Sequence, residues 1–162
     1  MDEDRLLAFF EALARHHVDY VLVGGVAMNV WGLVRATEDV DVFVRTTPDN
    51  VAKLRNALHD VIDDPSIDEI GVDDLAGSYP IIRYVAPDGS LIIDILARLG
   101  TAFGYDDLAF EVRHVGRTPV RVATPATLHA MKRNTTRLRD QDDATRLSAA
   151  FALPSDGSGE GG

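Results

Sequence analysis

The spacing of apolar residues divides the first part of the chain into alternating helices and strands. Residues 3–17 place Leu, Phe and Ala at helical spacing with charged residues between them, which predicts an amphipathic helix. Residues 18–25, "VDYVLVGG", form a short apolar run ending in two glycines, which predicts a buried strand and a turn. Residues 26–35 are apolar enough for a short packed helix, and residues 38–45 alternate as a second strand does.

The remainder of the chain adds hairpins to this pattern. Residues 46–62 are predicted to be helical, because Thr47 precedes Pro48 at the first helical position and an apolar stripe follows. Residues 63–78 indicate an acidic loop, and "PDGS" marks a turn between two strands within residues 79–99. The other segments are an unassigned stretch at 102–111, a strand pair at 113–125, helices at 125–134 and 139–151, and a polar, glycine-rich tail.

This order of elements predicts the fold class. Hairpins coexist with strands that are linked through helices, so the sheet should be mixed and covered by helices. We expect an α/β (α+β) fold with mostly short strands, flanking helices and two helices towards the C-terminus. The length of 162 residues fits one domain, which we place at residues 1–153, followed by a flexible tail at 154–162.

Composition and charge narrow the classes of function. The chain has no cysteine, which excludes disulfides, thiolate nucleophiles and cysteine metal sites. No apolar run is long enough to span a bilayer, and the acidic start is unlike a signal peptide, so we expect a cytoplasmic protein without membrane contact. The net charge of −10 argues against nonspecific nucleic-acid binding, whereas residues 113–139 hold seven basic residues and no acid, which suits a phosphate-bearing substrate.

Two aspartates stand at the start of the second predicted strand. Side chains alternate along a strand, so Asp39, Asp41 and Phe43 share one face, and the intervening valines share the other. Two carboxylates converging beside an apolar sheet repel each other, and a divalent cation such as Mg²⁺ relieves that repulsion. The alternative is that both are solvated acids where the strand emerges.

A third acid, Asp94, lies within the apolar run "SLIIDILARL" and therefore needs a partner if it is buried. One candidate partner is Arg83, across the predicted hairpin. The other is the strand of Asp39 and Asp41, which would complete a site of three carboxylates. Such a site can hold two Mg²⁺ ions about 4 Å apart, with Mn²⁺ as the alternative ion, for in-line phosphoryl or nucleotidyl transfer. The third acid can also act as a general base.

The adjacent glycines Gly24 and Gly25 end one predicted strand and precede a helix. Glycine lets backbone N–H groups approach an anion closely. The segment "GGVAMNVWG" lacks the spacing of a Walker loop or a Rossmann fingerprint. Its coupling to an Asp-x-Asp pair fourteen residues downstream is the more specific signal.

These features together resemble a known family. Residues 20–44, "YVLVGGVAMNVWGLVRATEDVDVFV", are similar to the core of the nucleotidyltransferase superfamily related to polymerase β, nearest to abortive-infection toxins of the AbiEii type. That type shows a GG turn, a small helix and then R-x-T-x-D-hydrophobic-D, which residues 35–41 match. The later matches are Asp94 as third carboxylate, Lys132 on a helix, and a K/R-D-x-x-D pattern at Arg139, Asp140 and Asp143. The resemblance covers about residues 18–147.

The resemblance implies roles for these residues. Gly24 and Gly25 would hold nucleotide phosphates, and Lys132 would contact the triphosphate. Asp39 and Asp41 would bind the metal ions, with Asp94 completing the site as ligand or base. These positions carry the expected catalytic, metal and nucleotide chemistry.

Two further residues have competing interpretations. Arg35 is a second phosphate contact by the resemblance, or else it pairs with Glu38 or Asp39. Asp143 is a nucleotide-site residue, or else an acid in the first turn of the last helix, with Asp140 as its N-cap.

The implied reaction is Mg²⁺-dependent transfer of a nucleoside monophosphate from an NTP to an acceptor hydroxyl. The acceptor is tRNA if the chain acts as a toxin with a cognate antitoxin or operon partner. A protein hydroxyl or an aminoglycoside or lincosamide antibiotic is the alternative, as is a non-catalytic partner or antitoxin subunit with the same fold. The sequence departs from the family at Val26, where many members place a serine, at Trp31, where this branch often has histidine, and in its short C-terminal helical part.

Overall fold

The computed structural model describes residues 1–77, 80–99, 103–133 and 138–153. Its α-helices are α1 (Glu3–Arg15), α2 (Gly24–Val30), α3 (Pro48–Val61), α4 (Pro125–Arg133) and α5 (Leu138–Phe151). Its strands are β1 (Tyr20–Val23), β2 (Val40–Val44), β3 (Ile81–Val85), β4 (Ile92–Leu96), β5 (Arg98–Leu99), β6 (Phe103–Gly104), β7 (Phe110–Val115) and β8 (Thr118–Ala123). The predicted tail at 154–162 lies outside the described residues.

The main sheet has six strands in the order β3-β4-β2-β1-β8-β7. β2 runs parallel to β4, and β1 runs parallel to β8, whereas β1–β2, β3–β4 and β7–β8 are antiparallel. The predicted mixed sheet with flanking helices is therefore confirmed. This order places β2 beside β4, although about fifty residues separate them in the sequence.

The core lies between the sheet and the helices that cover it. Val40, Val42 and Val44 on β2 are fully buried, as the alternating pattern predicted. α1 packs against α3 and β8, and contributes Phe9 and Phe10 to the same apolar cluster. The buried valines hold β2 in place, so the aspartates in and before this strand are displayed from a rigid element.

Some predicted elements differ from the structure in extent or type. The helix predicted over residues 26–35 begins at Gly24 and ends at Val30, because Gly32 takes a left-handed φ of +91° and the chain leaves the helix there. The acidic segment predicted as a loop contains two short 3₁₀ turns, Pro65–Glu69 and Val72–Leu75. By contrast, the start of α3 matches its prediction, since the Asn50 N–H donates to the Thr47 hydroxyl at 3.1 Å.

Candidate active site

Three carboxylates meet at the β2–β4 pair. Asp41 on β2 lies opposite Asp94 on β4 in the parallel register, and Asp39 immediately precedes β2. One oxygen from each of the three side chains lies within 4.8 Å of the others. The structure thus brings together the three acids that the sequence analysis singled out, in a geometry that oxygen-preferring divalent ions accept.

The environment of these acids favours a bound cation. Burial, the neighbouring charges of Asp39 and Asp94, and a hydrogen bond with Asp94 raise the pKa of Asp41 to about 7. Burial and the proximity of Asp94 also raise the pKa of Asp39. Burial by itself would raise the pKa of Asp94, but hydrogen bonds from Arg83 and Asp39 outweigh it and lower that pKa. Carboxylates that repel each other in this way gain stability from a divalent ion.

Arg83 on β3 is the direct partner of two of these carboxylates. Its Nε donates to Asp94 Oδ1 at 2.9 Å, and its Nη2 donates to Asp94 Oδ2 at 3.0 Å and to Asp39 Oδ2 at 2.9 Å. The sequence analysis treated Arg83 and the Asp39/Asp41 strand as alternative partners for Asp94. The structure shows both, because Asp94 lies between Arg83 on one neighbouring strand and Asp41 on the other.

The free energy of unfolding, measured without metal, should depend on the electrostatic repulsion between Asp41 and the other two carboxylates. The folded pKa of about 7 exceeds the value of 3.8 for an unperturbed aspartate, so the folded state loses stability as the pH rises through this interval. Asp41→Asn removes the charge, and in EDTA at about pH 8 it should raise the free energy of unfolding on the order of 2 kcal/mol, or Tm by roughly 5 °C. Thermal unfolding with and without Mg²⁺ measures this difference.

The comparison variant is Asp142→Asn, which changes an exposed aspartate away from the cluster and should leave Tm unchanged. The advantage of Asp41→Asn should shrink towards about pH 4.5, where the folded wild-type carboxyl is already protonated. Saturating Mg²⁺ should also remove the stability advantage of Asp41→Asn. The wild-type cluster keeps all three carboxylates, so it gains more stability from binding the ion than the variant does. Equal Tm values for the two variants at about pH 8 in EDTA would refute this account of Asp41.

The glycine pair lies directly against this cluster and the following loop. Gly24 has a φ of +74°, and a Cβ at this position would overlap the Asp41 carboxylate. A Cβ at Gly25 would overlap the methyl group of Thr37 and would lie 3.4 Å from Cγ of Arg35. Both glycines are therefore needed for close packing around the site, and this adds a second reason to the predicted approach of phosphate.

Gly24→Ala should destabilise the protein by about 3 kcal/mol, because a left-handed φ and an overlap with Asp41 act together. Gly89→Ala is a matched control, since Gly89 has nearly the same φ, +73°, and a Cβ added there would meet no atom within 4 Å. We expect Gly89→Ala to cost only about 1 kcal/mol. Urea unfolding of both variants isolates the contribution of Asp41, and equal losses would show that the overlap relaxes without cost.

A second cluster joins Lys132, Arg35 and Asp143. Lys132 Nζ lies 3.1 Å from Asp143 Oδ2, and Arg35 Nε lies 3.0 Å from Asp143 Oδ1. The side chain of Lys132 is 11% exposed, that of Arg35 is 12% exposed, and that of Asp143 is 2% exposed. Burial alone would raise the pKa of Asp143, but the hydrogen bonds from Arg35 and Lys132 lower it. One carboxylate therefore orients two cations at the cavity wall.

This cluster corrects three predictions. Arg35 pairs with Asp143, whereas the sequence analysis offered Glu38 or Asp39 as its partner. α5 begins at Leu138, so Asp143 is the sixth residue of the helix rather than a residue of its first turn. Asp140 consequently lies within the helix and not at its N-cap position. The patterns around these residues were local, whereas the pairing of Arg35 and Asp143 spans 108 positions.

The loop between α2 and β2 is held by residues that the sequence analysis did not identify. Asn29 donates from Nδ2 to the Arg35 carbonyl at 3.0 Å and accepts the Arg35 N–H at 2.9 Å. Arg146 on α5 donates from Nη2 to the Val34 carbonyl at 2.7 Å. The sequence signal that could have identified Asn29 is its polar side chain within the otherwise apolar helix "GGVAMNV". These contacts fix the backbone that presents Arg35 and Asp39.

The two clusters line one cavity of about 730 Å³. The three carboxylates, Arg83, the glycine pair, Arg35 and Lys132 are among its lining residues. Asp143 is not a lining residue, although it contacts both Arg35 and Lys132. The cavity thus combines acidic and basic side chains, which is the charge pattern that complements a cation bound to a phosphate chain.

The basic stretch at residues 113–139 does not form a single uninterrupted surface in the described part of the chain. The Arg121 guanidinium donates to the Tyr105 hydroxyl at 3.0 Å and to the Val18 carbonyl at 3.2 Å. The Arg113 guanidinium stacks 4.5 Å above the Trp31 ring. Of this stretch, Lys132 is the residue that lines the cavity, and the side chains of Arg133, Arg137 and Arg139 lie outside the described residues.

In the described ranges, every helix is too short or too polar to cross a bilayer.

Comparison with protein families gives a match over residues 5–146 to the model described as "Nucleotidyl transferase AbiEii toxin, Type IV TA system". This match covers most of the chain and includes every candidate site residue. The chain belongs to this family. The AbiEii resemblance and the nucleotidyltransferase assignment made from residues 20–44 are therefore confirmed.

A solved structure supports the same fold for this AbiEii family member. The crystal structure of a protein from H. pylori, described as a candidate nucleotidyltransferase, superposes with a TM-score of 0.52 at 19% identity. The alignment covers 92% of this chain and 67% of the H. pylori chain. No curated protein matches the sequence. The structural likeness establishes the nucleotidyltransferase fold, and the family model establishes the AbiEii relationship.

Two of the three departures from the family pattern, at Trp31 and Val26, have structural roles in this AbiEii family member. The Trp31 Nε1–H donates to the Ala123 carbonyl at 2.8 Å, and the ring packs edge-on against Phe151. Val26 is 6% exposed and packs in the core. Trp31 therefore connects the end of α2 to β8 and α5, and Val26 contributes apolar packing at the position where the sequence resemblance predicted a serine.

Proposed function

We propose that this chain transfers a nucleoside monophosphate from an NTP to an acceptor hydroxyl with release of pyrophosphate. The observation that carries the proposal is that three converging carboxylates and two largely buried cations line one cavity. Asp39, Asp41 and Asp94 would hold divalent ions, Mg²⁺ first and Mn²⁺ as the alternative. Such ions, when bound, neutralise the phosphate chain and lower the pKa of an attacking hydroxyl.

The basic side chains of the cavity would position the triphosphate. Lys132 and Arg35 are held by Asp143 in fixed orientations, so they bind phosphate oxygens with little further loss of side-chain freedom. Gly24 and Gly25 present backbone where a side chain would overlap the site, which allows a phosphate to approach closely. Asp143 would act through the two cations and not by direct contact.

The three carboxylates would divide the remaining work by their environments. Asp41 would be a metal ligand, since it lies beside Asp94 on the neighbouring strand and the charges of Asp39 and Asp94 both raise its pKa. Asp94 has a lowered pKa and a guanidinium partner, which suits a metal ligand better than a proton acceptor in the metal-free state. A role for Asp94 as general base would require Arg83 to release it.

The family description supports a toxin that acts in a pair with a cognate antitoxin. As the acceptor we propose an RNA, specifically tRNA. Incubation with each α-labelled NTP, Mg²⁺ and total cellular RNA tests this directly. We expect label in tRNA that ribonuclease releases. Label found in protein or in a small molecule would show that the acceptor is of that class and not RNA. Absence of label with every NTP, in Mg²⁺ and in Mn²⁺, would overturn the proposed activity.

A further inference from the structure

Arg83 pairs with two of the three carboxylates that would hold a divalent ion. Three hydrogen bonds of 2.9 to 3.0 Å join its guanidinium to both oxygens of Asp94 and to Oδ2 of Asp39. Both aspartates also belong to the three-carboxylate group. A cation bound to these oxygens and the guanidinium would therefore compete for the same negative charge.

The burial of the partners shows which of them is free to move. The Arg83 side chain is 60% exposed, whereas those of Asp39 and Asp94 are 30% and 8% exposed. Among the described residues β3 is an edge strand of the main sheet, with β4 as its one neighbouring strand. A long, largely exposed side chain on an edge strand swings away with few contacts to break, while the two aspartates stay in place.

Electrostatics favours this exchange. Three acids converge, and Arg83 is the cation that contacts two of them, so it lowers the repulsion while no ion is bound. A divalent ion brings twice the charge and a shorter approach to each oxygen. With both present, the guanidinium and the ion repel each other at close range.

We infer that Arg83 is an internal counter-ion that holds the carboxylates together in the metal-free protein and is displaced when a divalent ion binds. This inference rests on the metal site of the proposed function. In this role Arg83 is a positioning residue, which sets the affinity of the site for metal and keeps the cluster assembled until nucleotide and metal arrive.

Arg83→Met tests the inference through metal affinity, with Mn²⁺ alone as the probe and calorimetry or electron paramagnetic resonance as the readout. Removing the competing charge should tighten Mn²⁺ binding about tenfold. In EDTA the same variant should unfold at a lower temperature than wild type, because the repulsion at Asp39 and Asp94 loses its counter-ion. Mn²⁺ affinity that is unchanged or weaker in Arg83→Met would overturn the inference.

Arg15→Met is the matched control, since Arg15 is 57% exposed, pairs with Asp60 and lies outside the cavity. It makes the same change in net charge and should keep Mn²⁺ affinity within about twofold of wild type. Equal tightening in both variants would show a general charge effect and refute a specific role for Arg83. If wild type, Arg83→Met and Arg15→Met all fail to bind Mn²⁺, the metal site itself is wrong, which separates that failure from a failure of the Arg83 inference.

A measurement on the wild-type protein does not depend on the folding of Arg83→Met. The Nε–H of Arg83 donates to Asp94, so its NMR resonance reports that hydrogen bond, and Arg83→Lys assigns it by its disappearance. Addition of diamagnetic Mg²⁺ should move this resonance towards the position of a solvated arginine. A resonance that stays in place while Mg²⁺ saturates the protein would show that Arg83 remains bound and would reject displacement.

Discussion

Asp41→Asn should reduce nucleotidyl transfer by about 10³-fold, on the order of 4 kcal/mol of transition-state stabilisation. Asp41 lies beside Asp94 in the three-carboxylate group, and the charges of Asp39 and Asp94 both raise its pKa, so its own charge would be needed for any ion held by the cluster. Asparagine keeps the shape of the side chain and one oxygen, but it removes the charge that attracts a divalent cation. The rate of label transfer from the preferred α-labelled NTP at saturating Mg²⁺ measures the loss.

The design of this experiment separates chemistry from folding. Asp41→Asn is also expected to be at least as stable as wild type in EDTA, so a loss of activity with a raised Tm cannot come from unfolding. Asp142→Asn lies on an exposed position of α5 and should retain full activity. Retention of more than about a tenth of wild-type activity by Asp41→Asn would contradict a central role in metal binding.

Asp143→Ala should lower the free energy of unfolding by about 3–4 kcal/mol and Tm by roughly 10 °C. Its carboxylate is 2% exposed and contacts both Lys132 and Arg35, which are themselves only 11% and 12% exposed. Removal of the acid leaves two largely buried cations facing each other across the space that it filled. Because the two cations line the cavity, nucleotide affinity should fall as well.

Urea unfolding and NTP titration measure these two effects, with Asp142→Ala as the neighbour control on the same helix. The pKa of Asp143 is lowered in the folded state, so its contribution to stability is present above the unfolded pKa and is lost as the pH falls through the folded pKa. The difference between wild type and Asp143→Ala should therefore shrink in acid. A loss below about 1 kcal/mol at neutral pH would show that Lys132 and Arg35 have adequate alternative partners.

The arrangement of charge in the cavity explains why this site needs a rigid sheet beneath it. Three acids repel each other in one cluster, and two cations converge on Asp143 in the other. Neither cluster would persist on a mobile loop, since the repelling groups would separate into water. Asp41 and Asp94 lie on adjacent strands whose buried residues fix their register. This is the preorganisation that electrostatic catalysis requires.

Local patterns in the sequence were enough to predict the elements and the family. The alternation of valine and acid predicted β2 and its two faces, and Thr47 followed by Pro48 predicted the start of α3. The GG turn and the R-x-T-x-D-hydrophobic-D pattern identified the AbiEii relationship that the family model confirms. These signals depend on residues within a few positions of one another, so backbone geometry and side-chain period suffice to interpret them.

Only the tertiary structure determined which residues contact each other at the site. From the sequence, Arg83 and the Asp39/Asp41 strand were alternative partners for the Asp94 carboxylate. The strand order makes both of them neighbours of Asp94. The sequence analysis paired Arg35 with acids a few positions away, whereas the folded chain brings it to Asp143. Sheet order, strand register and helix docking set these contacts. They arise from burial summed over the whole core, and no local pattern around one charged residue encodes that sum.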